Sequence, residues 1–181
     1  MTQNTDVREQ ALAYMRHQAT KSMGDLAVLM ERTAAECARC LEGVSEERAI
    51  FKPALSGAEG CDEEWCIKEV LGHMIESGKG VNREIANLVE DRPSAREARM
   101  GVVAGADRTL EEMRQMLTDL WAETGRLVAS LPEAGNLERT WEHPAFGPLN
   151  FREWIAFQRL HAMDHVQQME KVKAHPGYPR A

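Results

Sequence analysis

The sequence predicts an all-α protein, a four-helix bundle with an extra N-terminal helix. Three observations carry this. Four separate stretches repeat apolar residues at helical spacing. Start and stop residues bracket those stretches. No stretch shows the alternation expected of a half-buried strand. At 181 residues the chain is long enough for one domain with a full hydrophobic core. Hydrophobic residues make up 43% and charged residues 28%, which is ordinary for a globular chain and unlike a disordered one.

The first stripe runs Leu26, Leu29/Met30, Thr33/Ala34, Cys37, Cys40/Leu41, Val44. The second runs Ile67, Val70/Leu71, Met74, Val81, Ile85, Leu88. The third runs Leu110, Met113, Leu117, Leu120/Trp121, Leu127/Val128, Leu131. The fourth runs Phe151, Trp154/Ile155, Ala162, Val166, Met169, Val172. Asp62 precedes the second stripe. Thr109 with Glu112 and Asn150 with Glu153 have capping-box spacing. Pro53, Gly57 and Gly60 separate the first two helices, and Arg92-Pro93-Ser94 closes the second. Pro132, Gly135, Pro144, Gly147 and Pro148 fill the connection before the fourth. A weaker pattern (Val7, Ala11, Met15, Ala19) suggests a further helix over residues 5–20. The expected organisation is an N-terminal helical extension over 1–22, the bundle over 23–175 and a tail over 176–181. Sites in such bundles are usually built between facing helices.

Charge and terminus narrow the partners. The net charge is -7 and no Lys/Arg cluster stands out, so a nucleic-acid partner is not expected. Arg92 to Arg99 is locally basic but short and mixed, which reads as a solvated connection. The N-terminus has no apolar segment of a secretory signal, and no apolar run is long enough to span a bilayer. The expectation is a cytoplasmic chain acting on a small molecule, with reduced thiols and no membrane contact. Cys37 and Cys40 lie in the first apolar stripe and read as packing, not as a zinc site with Cys61 and Cys66.

The informative residues are histidines. His161 and His165 are one turn apart on the fourth helix, so both imidazoles project from one face. On a helical wheel they lie about 20° either side of Trp154 and Val172, beside the apolar stripe. A buried imidazole needs a partner for each ring nitrogen. Two hydrogen-bonded core histidines would satisfy that, and so would a shared cation. His73 supplies a third imidazole from the edge of the second helix, on a strip with Cys66, Ser77 and Gly80. Three histidine ligands leave a position open, as catalytic sites require. Ala162 stands where a zincin carries its glutamate base, so that motif is excluded. Glu69 and Asp164 are the nearby carboxylates that could orient a ligand. Cys66, Ser77 and Trp154 are the expected pocket residues. His143 reads as an exposed loop histidine, and the other three tryptophans read as core.

Two blocks carry a family resemblance. One is Trp65-Cys-Ile-Lys-Glu-Val-Leu-Gly-His73. The other is His143-Pro-Ala-Phe-Gly-Pro-Leu-Asn-Phe-Arg-Glu-Trp154, followed by His161-x-x-x-His165. With Leu41-Glu-Gly-Val-Ser-Glu-Glu-Arg48 after the first helix, they resemble the DinB/YfiT-like superfamily over roughly residues 25–173. Cys66 departs from the Ser or Thr commoner after the tryptophan, and a small buried role is expected for it. The resemblance implies an up-up-down-down bundle, often a homodimer. It also implies a divalent metal on His73, His161 and His165. Relatives include bacillithiol S-transferases and mycothiol-dependent maleylpyruvate isomerase, so it implies a low-molecular-weight thiol co-substrate, or else hydrolysis. Zinc is the first choice as a redox-silent ion, with nickel, iron, copper or manganese as alternatives. The competing expectation is a non-catalytic bundle that binds a metal or ligand in a stress response.

Overall fold

The computed structural model describes residues 2–52, 65–93 and 107–180. Its elements in chain order are α1 (Thr2–Ala19), α2 (Met23–Cys40), α3 (Glu46–Ala49), α4 (Ile67–Val89), α5 (Leu110–Ser130), β1 (Thr140–His143), β2 (Gly147–Asn150) and α6 (Phe151–Ala174). The four amphipathic stripes are α2, α4, α5 and α6. The all-α bundle with an added N-terminal helix is therefore the observed fold.

The caps explain where the helices begin. Thr109 Oγ1 accepts from the Glu112 amide at 3.2 Å, and Glu112 Oε2 accepts from the Thr109 amide at 2.8 Å. Asn150 Oδ1 accepts from Arg152 and Glu153, and Glu153 Oε2 accepts back from the Asn150 amide at 2.9 Å. The α2 N-cap is Ser22, whose Oγ accepts from the Asp25 amide. Asp62, expected before α4, lies outside the described residues, as do Pro53, Gly57, Gly60 and Cys61.

Cross-helix contacts set the directions. Arg159 of α6 reaches Glu36 at 3.0 Å, and Lys173 donates to the Cys40 carbonyl at 2.8 Å, so α2 and α6 run parallel. Arg114, near the start of α5, donates to the Leu41 carbonyl just past the end of α2. Those two helices are antiparallel. Leu120 packs on Gly78 and Thr124 meets Asn82, so α4 and α5 are parallel. Asn82 also meets Gln158, while His73 meets His161, so α4 and α6 are antiparallel. The order of directions is up, down, down, up, which corrects the up-up-down-down order. The physical reason lies in the stretch 90–109. At roughly 3.3 Å per residue it is long enough to span a helix of about 35 Å. It therefore lets α5 start again at the end where α4 began.

The core lies among these four helices. Leu26, Met30, Leu71, Ile75, Ile85, Met113, Leu120 and Trp154 are essentially inaccessible. Burying each such side chain contributes about 1.5–3 kcal/mol. α1 packs along α6 through fully buried Met15. Arg152 at the head of α6 donates to the Lys21 carbonyl at 2.7 Å and to the Glu133 carbonyl. It thereby ties the α1–α2 turn and the chain after α5 to one point.

The short antiparallel hairpin β1–β2 was not foreseen; the sequence reads as connection there. It pairs Trp141 with Leu149 and His143 with Gly147. Four-residue strands are too short for alternation to register. Gly147 adopts φ of +78°, a conformation that favours glycine.

One polar network crosses the core. Asn82 Oδ1 accepts from Gln158 Nε2 at 2.7 Å, and Asn82 Nδ2 donates to Thr124 Oγ1 at 2.9 Å. Thr124 in turn donates to the Leu120 carbonyl. Asn82→Ala is expected to destabilise the fold by about 2–3 kcal/mol, because Gln158 and Thr124 would be left buried with lost partners. Urea unfolding of both proteins measures this. A loss below about 0.5 kcal/mol would show that the network contributes nothing.

Candidate metal centre

The antiparallel docking of α4 on α6 brings three imidazoles together. His161 and His165 are successive turns of α6, and His73 faces them from α4. His73 Nε2 lies 3.0 Å from His161 Nε2, and His165 Nε2 lies 3.0 Å from the same atom. All three ligand atoms fall within 4.8 Å of one another. His73 and His165 are buried and His161 is half-buried.

The proton count in this cluster is constrained. Gln168 Oε1 sits 2.8 Å from His165 Nδ1. An amide oxygen can only accept, so Nδ1 carries the hydrogen. In the neutral ring Nε2 then holds a lone pair. His161 Nε2 has one in-plane valence, yet it faces two Nε2 atoms at 3.0 Å. One N–H···N bond satisfies only part of this arrangement. Adding protons is opposed, since burial pushes the His161 pKa well below its usual value, and His165, His73 and His143 push it the same way. The donor set fits a divalent cation. Tetrahedral ligand nitrogens at 2.0–2.1 Å from zinc stand about 3.3 Å apart, close to the 3.0 Å that separates His161 Nε2 from each of the other two.

Aromatic rings surround the cluster. The Trp65 ring centroid is 5.2 Å from that of His73. Phe157 stacks on His161 at 5.3 Å. The His143 ring packs on Phe157 at 4.7 Å, on Phe146 at 4.8 Å and on Trp154 at 5.5 Å. Burial lowers the His143 pKa to about 4.

The other sequence-derived residues divide into groups. Glu69 closes the α4 cap by accepting from the Cys66 amide at 2.9 Å, and its other oxygen pairs with Lys52 at 2.7 Å. Asp164 points outward and is exposed. Cys66 is the buried N-cap residue of α4, with its thiol pKa raised by burial. Ser77 is half-buried and donates to the Met74 carbonyl. Trp154 is fully buried behind Phe157, stacked at 4.4 Å on Trp141. Cys37 and Cys40 are buried in the core, with pKa values pushed up to about 12. They behave as small hydrophobes.

The reading of His143 as an exposed loop residue is corrected. It ends β1, and three rings half-bury it. Sequence reasoning also missed Gln168, Phe157 and the place of Trp65 against a ligand. Spacing offered a signal for two of them: Gln168 is one turn after His165, and Phe157 one turn before His161.

Stability should follow the histidines. The unfolded His143 ring takes its proton near pH 6.5, whereas the folded ring does so only near pH 4. The unfolded state binds the extra proton between those values, so stability is fully present above 6.5 and falls as pH drops through the window. His161 acts in the same direction. Thermal midpoints of chelator-treated protein, from about pH 8 to about pH 4.5, should fall with acid, and less steeply for His143→Phe. An unchanged slope would show that His143 titrates normally.

Comparison with known proteins gives the family of the chain. A family model of the DinB superfamily matches residues 29–169, which include all three histidines. The uncharacterized protein YuaE of Bacillus subtilis (strain 168) is 28% identical over 150 residues, covering 74% of this chain and 88% of YuaE. No helix among the described residues is long and apolar enough to cross a membrane. From the length of the family match, the chain belongs to the DinB superfamily.

Proposed function

We propose that this protein is a metal-dependent enzyme in which His73, His161 and His165 hold one divalent cation, and that it acts as a thiol transferase or a hydrolase on a small molecule. The supporting observation is the convergence of three Nε2 atoms that cannot all be satisfied by one another. A divalent cation supplies Lewis acidity there, lowering the pKa of a water or a low-molecular-weight thiol toward neutrality. Zinc leads as a redox-silent ion, with nickel, iron, copper or manganese as alternatives. Thiol transfer leads over hydrolysis on the resemblance to thiol-dependent relatives.

The chain's own residues have distinct tasks in this reading. All three ligands are neutral imidazoles, so they leave the cation's charge uncancelled. Gln168 holds His165 in the tautomer that presents Nε2. Trp65 and Phe157 pack on ligand rings, limiting their rotation and keeping water from their faces.

Elemental analysis of tag-free protein should find about one equivalent of a transition metal, absent from His161→Ala. Gln168→Leu should keep the fold and weaken metal affinity by about 10–100-fold. Metal-free wild type that gains no thermal stability on adding zinc or nickel would overturn the assignment.

A further inference from the structure

Outside the three histidines, His143 has a ring whose hydrogen-bonding is fixed on one edge by the hairpin backbone. Its Nδ1 accepts from the amides of Ala145 and Phe146, at 3.1 Å and 3.3 Å. Two N–H donors require a lone pair at that atom. A neutral ring must then carry its hydrogen on Nε2. Among the described residues no protein acceptor meets that N–H. The hairpin amides occupy the Nδ1 edge, and Nε2 lies on the edge away from them. The ring itself is held in place, packed on Phe157 at 4.7 Å, and Phe157 stacks on His161 at 5.3 Å. His143 is thus one ring removed from the metal-site histidines.

We propose that His143 is a substrate-recognition residue, donating from Nε2 to an acceptor oxygen of the molecule bound at the three-histidine site. This rests on the metal-site reading above. The substrate class follows from the surroundings. A cation on three neutral ligands attracts an anionic or strongly polarised oxygen. Phe146, a half-buried ring of the same hairpin, lies 4.8 Å from the His143 ring and offers an apolar face beside the donor. The fitting molecule carries a carboxylate or carbonyl oxygen on a planar apolar body. His143 suits this role because it is held neutral. It can donate without offering a proton for full transfer, as neutral histidine electrophiles do. Burial supports this by keeping the ring uncharged down to about pH 4.

Benzoate is the test probe, titrated calorimetrically into zinc-loaded wild type, His143→Phe and His143→Gln. The phenylalanine variant keeps the ring packing and removes the donor. Glutamine restores a donor near the Nε2 position. Expected are unchanged zinc content in all three proteins, benzoate affinity weakened about tenfold in His143→Phe, and most of that loss recovered in His143→Gln. Equal affinity in wild type and His143→Phe would overturn the proposal. So would zinc-loaded wild type that binds no benzoate. Zinc lost from His143→Phe would overturn it in favour of a role in holding the metal. Wild type that takes no zinc defeats the metal-site reading instead. The same titrations on zinc-free protein then decide His143 separately, since a benzoate affinity still lost in His143→Phe upholds its donor role.

Discussion

His73 meets His161 and His165 because α4 and α6 lie antiparallel at a fixed relative position. Two contacts define that position. Asn82 holds Gln158 at 2.7 Å in the core, and His73 lies 3.0 Å from His161 nearer the far end of the pair. A slide of one helix by a single turn, about 5.4 Å, would break both. Packing of α5 against α4 resists such a slide. Gly78 leaves room for Leu120 only at its present level, since a Cβ there would come within 2.6 Å of that side chain. The close approach of α5 to α4 thus backs up the register on which the histidines depend.

The site also stands against the stability of the fold that carries it. Three imidazoles in a shielded cluster exchange good hydration for incomplete pairing with one another. His161 resists protonation, so the central ring does not relieve this crowding by taking up charge. Gln168 accepts from one of these nitrogens, His165 Nδ1. Any cation that binds these nitrogens in the folded chain and not in the unfolded one returns that cost as stability. Such binding would couple folding to ion uptake through the same three atoms.

Much of this was legible in the sequence because it is periodic. The four stripes, the boxes Thr109/Glu112 and Asn150/Glu153, and the i, i+4 histidine pair are all local patterns set by the helical repeat. His73 was legible as an edge position on its own helix. What escaped depends on distant contacts or on pieces shorter than a period. The up, down, down, up order is decided by which helix ends meet, as where Arg114 caps the Leu41 carbonyl. The hairpin has too few residues to alternate. Asp164 and Gln168 flank the same ligand from either side in sequence, and one is exposed while the other reaches His165. Wheel angles alone do not separate them, because the neighbouring helix decides which side of α6 is covered.

The hairpin makes His143 part of the scaffold. Its last residue, Asn150, is also the N-cap of α6, so β2 runs directly into the helix bearing two of the histidines. Its first strand is fastened to that helix a second time. Trp141 stacks on Trp154 at 4.4 Å, and its carbonyl accepts from Trp154 Nε1 at 3.3 Å. Arg152 anchors the start of α6 to the Lys21 and Glu133 carbonyls. His143 ends β1 between these fastenings. Both strands of the hairpin are therefore fastened to α6.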